Sequence, residues 1–539
     1  MSPDSSAKTG RWRGPALALL GYVAAWAVMT YPQVLSWSQL GDLLDPRAKI
    51  WQLAWVAHAL VESPMRLFDG NIFYPERVTL AYSDTMLAPS VASAPLFWMG
   101  APPVFVFNLL MASGFVLSGL TMFLLVRHLT GRAEAAWVSG LAFAFLPFRF
   151  NHYPHLELQL TMWMPLALWA LHRSVDGGRW RDGLLTGLCI GLQLLTSMYY
   201  GGFFLLMLVP IGLVMVATAR RPVRSAMVLA AGAVLTIVLA APVVLVHASA
   251  RTTVGERERS EVLHYSAQAS DYLRPDRGNK TYASLADWDG EGERRLFPGF
   301  ALMGLAVIGL WPIRSRARVA YLLGAVVAFD ASRGLHGTVY AWLWDYAAPF
   351  RGFRVPARFG MLTALALAVL AGWGVARLCQ HVRSPRARYV LAGALSLVVL
   401  AESRSFPLKL EWISRRVPVV YGWLAKQPRA AVLELPVDMA ADFGYMYFST
   451  LHWQPLVNGQ SGFFPPWYAD LKRMAAEFPT DEAMAFLRGR GVTHVIVHRR
   501  LMDTEYEALT GRLAARSDIR LVGSFGQPSV ESDVYRVLR

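Results

Sequence analysis

Charge is scarce in this chain. Only 17% of its 539 residues are Asp, Glu, Lys or Arg, where a soluble domain carries roughly 25%. Cysteine is nearly absent: Cys189 and Cys379 both sit in or at the end of apolar stretches. That excludes a disulfide framework and any cysteine-based metal pattern, and both read as small buried hydrophobes. Repeats of 20–50 residues and low-complexity tracts are missing. Charges within the apolar runs are nearly missing too, Asp330 being the exception. An ion-coupled transporter keeps ionisable groups near the bilayer midplane, so this weighs against secondary transport.

What is plentiful is apolar sequence, at 55% of residues and a mean hydropathy of +0.34. A membrane span needs about 20 apolar residues, fewer when tilted or buried by neighbours. About eleven candidates stand out, at 15–35, 103–126, 134–148, 158–172, 183–199, 201–217, 226–248, 296–312, 319–333, 359–379 and 387–402. The first run is too long for a cleaved signal peptide and reads as an uncleaved span, its start held inside by Lys8, Arg11 and Arg13. Net charge is +15, but no basic domain with stacking aromatics points to nucleic acid. The basic residues gather instead in short loops at 127–132, 172–182, 219–224, 314–318 and 381–388. With eleven spans and a cytoplasmic N-terminus, all five loops fall in the cytoplasm, as the positive-inside rule asks.

The other side then receives 36–102, a short link near 149–157, 249–295, 334–358 and everything after the last span. Composition changes near Ser403. "AAVLELP" (430–436), "VTHVIVH" (492–498), "DIRLVGSF" and "SDVYRVL" read as strands, and "DEAMAFLRGRG" (481–491) as a helix ending at a glycine. The fold class expected is a polytopic α-helical membrane protein: residues 1–402 form the transmembrane domain, and 403–539 an external α/β domain long enough for its own core.

The external segments hold the candidate chemistry. Asp42 and Asp45 follow the first span. Asp45 suits a helix cap before Pro46. In the helix beyond, Ile50, Leu53, Ala54, Ala57, Leu60 and Val61 make one face, and Trp51, Gln52, Trp55, His58 and Glu62 the other, a pattern suited to the membrane interface with tryptophans at headgroup level. "NIFYPERVTLAYSD" supplies Tyr74, Glu76, Tyr82 and Asp84, aromatic and acidic groups that suit a carbohydrate or anchor the loop at the interface. The link "FRFNHYPHLELQ" crowds Arg149, His152, His155 and Glu157 into a few residues. With Asp42, His155 and Glu157 have the chemistry to bind a divalent cation, Mg or Mn, or to share acid/base work; two histidines three apart are a weak metal signal, no other cofactor is indicated, and these residues leave metal dependence open. "PFRGFRVPARFG" places Arg351, Arg354 and Arg358 within eight residues, forks that suit phosphate oxygens or lipid headgroups. The stretch 445–468 is dense in aromatics, which stack on sugar rings or pack inside the protein.

Together these features resemble the GT-C superfamily of membrane glycosyltransferases. "GD" followed by "WQLAWVAH", then "NIFYP", "FRVPARF" and "LELP", are most similar to bacterial YfhO-type proteins. The chain shows neither a WWD-type signature nor a DxD pair. The resemblance implies a site in the bacterial inner membrane facing outward, with the C-terminus periplasmic or extracellular. It implies inverting transfer of a sugar from a polyprenyl-phosphate donor to a glycan, lipid or protein acceptor of the envelope. Asp42 takes the position of the catalytic acidic residue. His152, His155, Glu157, Tyr82, Asp84, Arg351, Arg354 and Arg358 are the substrate-binding candidates. The rival class is a non-catalytic polyprenyl-lipid flippase or an envelope-assembly scaffold.

Overall fold

In the computed structural model, residues 5–285, 292–313, 315–413, 417–527 and 531–538 are described, without the side chains of 5–13 and 503. Arg314 of the basic loops and the side chains of Lys8, Arg11 and Arg13 therefore lie outside the described residues. Each of the apolar stretches anticipated as a span contains a helix, from Ser5–Met29 through Pro385–Glu402. Four helices are long and apolar enough to cross a membrane, among the described residues: Pro103–Thr130, Met198–Ala217, Pro222–Val254 and Pro356–Gln380, where a short 3-10 turn leads into the last. Gly14–Met29 and Phe300–Leu310 are apolar but shorter.

The chain packs as two compact units. The first comprises Met1–Trp37, Asn108–Pro242 and Glu256–Leu410 and is helical. Small residues let its helices meet backbone to backbone, the usual device where lipid removes the hydrophobic drive for association. A Cβ on Gly309 would fall 1.9 Å from the Leu370 carbonyl oxygen, and one on Gly374 would fall 2.0 Å from that of Leu305. Helices Phe300–Leu310 and Gly360–Gln380 are thereby locked in register. Gly178, at φ +60°, ends helix Trp163–Gly177 in the left-handed conformation that glycine adopts without strain.

The second unit joins Ser38–Phe107 and Val243–Gly255 to Glu411–Arg539. By packing, then, the first long loop belongs with the tail, and residues 403–410 belong with the helices. Its sheet has four strands. Val432–Leu435 runs parallel to His494–His498, which pairs antiparallel with Ser532–Val537, which in turn pairs antiparallel with Ile519–Phe525. The open edge of Val432–Leu435 is covered in two steps. Leu456 bridges Val432 in parallel, and the Leu456 amide donates to the Asn71 carbonyl at 2.7 Å while Tyr74 donates back to Leu456 at 2.9 Å. Loop residues 71–74 thus continue the sheet, which protects an edge otherwise exposed to foreign strands. A second join pairs Gln39–Leu40 antiparallel with Glu411–Trp412.

The core of this unit explains helix Asp45–Glu62. Trp51 and Trp55 are buried in it, alongside Phe73 and Tyr82 from the loop and Leu433, Met484 and Val495 from the tail. Trp51 donates to Asn71 at 2.9 Å and Trp55 to the Leu67 carbonyl at 2.9 Å. This corrects the expectation of tryptophans at headgroup level. Indoles that suit a lipid interface suit equally a protein core that offers each N–H an acceptor.

Candidate functional site

Asp42 lies in the turn that precedes helix Asp45–Glu62. Its Oδ1 accepts the Leu44 amide at 2.5 Å, an Asx-type bond that fixes the carboxylate, and Leu44 occupies the N-cap. Asp45 is the first helical residue, where its charge favours the helix dipole, rather than the cap itself. Asp42 is half-buried, and its Oδ2 has no hydrogen-bond partner among the described residues. Asp42, Tyr447 and Glu411 all act electrostatically on the guanidinium of Arg47, with burial as the opposing and largest influence. The carboxylate is therefore oriented by its own turn and leaves one oxygen for a visitor.

Two other candidates of this unit point inward. Tyr82 is 1% exposed, stacks on Phe73 at 5.9 Å and finds no partner for its hydroxyl among the described residues. Burial, with Glu76 adding to it, pushes that hydroxyl up to about 12. Asp84 is buried, and its carbonyl accepts from Gln52 at 3.0 Å.

The histidine link belongs to the helical unit, and a clamp at its base shapes it. Arg149 donates through Nε to Gln159 Oε1 at 3.1 Å and through Nη2 to the Gln159 carbonyl at 2.5 Å. Gln159 answers by donating to the carbonyls of Arg149 at 3.0 Å and His152 at 2.7 Å. The loop between them, with His152, His155 and Glu157, is closed by four hydrogen bonds. Arg149 is 1% exposed, rests 4.4 Å from the Phe115 ring and leaves Nη1 unpartnered. Burial, partly offset by Tyr200, lowers its pKa to about 9.

His152 faces outward from this clamp to Glu293. Its Nε2 lies 2.9 Å from Glu293 Oε2, and its ring stacks on Phe148 at 4.3 Å. Arg358 grips the same carboxylate from the opposite side, Nε to Oε2 at 3.0 Å and Nη2 to Oε1 at 2.5 Å. Burial alone would raise the Glu293 pKa, but Arg358 and His152 hold it well below the carboxylate range. Glu157 is buried beside this group and acts electrostatically on Arg358. His155 caps helix Leu156–Gln159 and lies 5.8 Å, ring to ring, from His152.

The three arginines part company. Arg358 is spent on Glu293. Arg351 donates to the Trp344 and Asp345 carbonyls at 3.0 and 3.1 Å and lies 3.6 Å from Glu256, which makes it a helix C-terminal cap. Arg354 is 37% exposed, with its guanidinium 5.2 Å from the Tyr265 ring and 3.9 Å from Glu261. Of the three it is the least engaged. Glu293 was not singled out from sequence, and neither was Tyr200, whose buried hydroxyl has no partner. Glu293 sits in "GERRLFPG", beside Arg294 and Arg295 and with no spacing that ties it to His152 or Arg358.

Among the described residues, no group of three or more His, Cys, Asp or Glu side chains is arranged to hold a metal ion. At His152 a cation does not fit, because Nε2 meets Glu293 and Nδ1 lies 3.1 Å from the Phe148 carbonyl.

Residues 94–246 match the family model of dolichyl-phosphate-mannose-protein mannosyltransferase. No curated protein matches the chain at a significant level. Among solved structures, the arabinofuranosyltransferase AftD from Mycobacteria aligns with a TM-score of 0.65 at 14% identity, over 98% of this chain and 40% of that one. A mutant form of AftD aligns at 0.64 and 16%, over 98% and 42%. ArnT from Cupriavidus metallidurans in the apo state aligns at 0.48 and 12%, over 98% of each chain. This chain thus spans about two-fifths of the length of AftD. Over that length it shares the fold of AftD.

Proposed function

We propose that the protein is a membrane glycosyltransferase that moves a sugar from a polyprenyl-phosphate donor to an envelope glycan, lipid or protein acceptor on the outer face of the inner membrane. The observation that carries this reading is Asp42, a carboxylate oriented by its own turn with one oxygen unengaged. In the proposed step the acceptor hydroxyl attacks the anomeric carbon opposite the phosphate. The new bond joins the acceptor oxygen to that carbon, the bond from carbon to phosphate oxygen breaks, and the leaving phosphate keeps the electron pair. Asp42 Oδ2 takes the hydroxyl proton. Phosphate is a good leaving group without protonation, so one base and one positive neighbour suffice.

Arg354, the least engaged of its trio, is the candidate for the donor phosphate. Arg358 acts through Glu293 to hold His152, and Arg351 holds its helix end. His155 and Glu157 are the substrate-binding candidates of the clamped link, whereas Tyr82 and Asp84, both buried, shape the first loop. Eleven spans, a cytoplasmic N-terminus and an external C-terminus complete the proposal, supported by the basic loops. Kinship with YfhO-type proteins rests on the short sequence motifs.

The test is Asp42→Asn, assayed in membranes with radiolabelled polyprenyl-phosphate sugars. Asparagine keeps the bond to Leu44 but cannot take a proton. Transfer should fall by about 10²–10⁴-fold, the range for loss of a general base, at unchanged expression and donor binding. Undiminished transfer, or undiminished cellular function, would favour the flippase or scaffold.

A further inference from the structure

Two sequence stretches singled out for their suitability to sugars meet on the surface of the second unit. Trp467, from the aromatic stretch, donates its indole N–H to Glu76 Oε1, from the first loop, at 2.7 Å. Beside them lies Arg490, its guanidinium carbon 3.6 Å from the centre of the Phe486 ring and 5.0 Å from that of Trp467. Arg490, Trp467, Phe486 and Glu76 are all half-buried, so the group is held and yet reachable.

The guanidinium of Arg490 makes no hydrogen bond and no ion pair among the described residues. Arginine has five donors in a rigid plane, and that plane is pinned here by aromatic faces rather than spent on a carboxylate. A pinned fork with unspent donors matches a carboxylate bidentately and loses little side-chain entropy on binding. Glu76 has the complementary property. Its Oε1 is fixed by Trp467, and its Oε2 has no hydrogen-bond partner among the described residues. A half-used carboxylate accepts from a hydroxyl. The Tyr74 hydroxyl stands alongside, 3.6 Å from where a Cβ on Gly491 would be. The turn presenting Tyr74 and Glu76 begins and ends on left-handed residues, Phe73 at φ +57° and Val78 at φ +50°. Such strain, costly for a β-branched valine, persists where the surroundings enforce it and recurs at ligand sites.

We infer that Arg490, Glu76, Tyr74 and Trp467 form a binding site for an acidic saccharide. The Arg490 fork takes the carboxylate of a uronic acid residue, Glu76 Oε2 accepts one of its hydroxyls, and Tyr74 and the Trp467 edge meet its apolar ring face. A carboxylate within the site disfavours a phospholipid surface, which offers anionic oxygens without ring hydroxyls, whereas each residue of a uronic acid saccharide offers one anion and several hydroxyls and satisfies both charged groups at once. The site binds and does not transfer, and it stands independently of the proposed role of Asp42.

The test uses the full chain purified in detergent, titrated with trigalacturonate, neutral galactotriose and inorganic phosphate, with Trp fluorescence as readout. Trigalacturonate should bind at least tenfold tighter than galactotriose or phosphate. Arg490→Gln should weaken it tenfold or more at an unchanged melting temperature. Arg490→Lys should weaken it comparably, because an ammonium keeps the charge and loses the fork. Asp42→Asn should bind as the parent does, which separates this site from catalysis. Equal binding of the acidic and neutral trisaccharides, parental affinity in Arg490→Lys, phosphate binding as tightly as the trisaccharide, or displacement of the saccharide by anionic phospholipid nanodiscs would each overturn the proposal.

Discussion

Replacing Asp442 by asparagine should make the second unit more stable at pH 8 and leave it nearly unchanged at pH 5. Asp442 is fully buried on helix Met439–Ser449. Its Oδ2 accepts the Tyr468 hydroxyl at 2.5 Å and its Oδ1 accepts Asn458 Nδ2 at 3.0 Å. Asn458 in turn brackets Glu434 of the edge strand Val432–Leu435, accepting from its amide at 2.7 Å and donating to its carbonyl at 2.9 Å. Burial pushes the carboxyl up, the bonds from Tyr468 and Asn458, with the charge of Lys472, pull it only part of the way back, and the result lies at about 7 rather than 3.8. A carboxyl raised on folding contributes stability at low pH that is lost as pH rises through the folded value. That loss begins near 3.8, is complete above about 7, and amounts to about 4 kcal/mol. Asparagine is neutral throughout and escapes it. The amide serves the Tyr468 bond less well, at about 1 kcal/mol. The net gain is therefore about 3 kcal/mol at pH 8 and within about 1 kcal/mol of zero at pH 5. Hydrogen exchange of Val432–Leu435 and residues 456–459, measured at both pH values, reads this unit directly. Protection in Asp442→Asn that is unchanged or lower at pH 8, or a gain of the same size at both pH values, would refute the reasoning.

Glu293→Gln should strip a buried Arg358 of its counter-charge and lower stability by about 3–5 kcal/mol, whereas Glu293→Gln with Arg358→Met should recover most of it. Melting of the single and double variants decides the matter, and additive losses would deny the coupling. Because the folded carboxyl is depressed, the contribution of Glu293 is present above its ordinary 4.5 and fades as pH falls through the lower folded value. Expressed alone, residues 411–539 should not melt cooperatively. They lack Trp51, Trp55, Phe73 and Tyr82, each worth about 1.5–3 kcal/mol of burial, and linking 38–107 to them should restore a sharp transition in circular dichroism. A cooperative melt of the tail alone would contradict the shared core.

Helices were the most legible part of the fold, because an apolar run of lipid-spanning length has few other solutions. Strands were legible where β-branched residues run together, as in Val495, Ile496 and Val497. The tail was legible as α/β, but its partner was not. The period of Trp51, Trp55 and His58 marks a two-faced helix without stating what covers each face, and the covering residues lie almost four hundred positions downstream. Asp42 stands out in the sequence by its position, but the turn that orients its carboxylate shows only in the structure. Glu293 was hidden because its meaning depends on His152 and Arg358, three residues with no common spacing. The arginine trio looked uniform in sequence, yet their carbonyl and carboxylate partners give each a separate task.

The bond from Asn71 to the Gln454 carbonyl joins residues 383 apart, and that between Trp467 and Glu76 spans 391. During synthesis at about 5–20 residues per second, the first loop is finished roughly 20–80 s before the strand it must join. For that interval Trp51 and Phe73 have no tail to cover them, and the edge formed by residues 71–74 has no mate. Within that interval are made the four helices that, among the described residues, are long and apolar enough to cross a membrane. Assembly of the second unit is therefore a wait followed by a closure, and the waiting loop is where chaperones have most to shield.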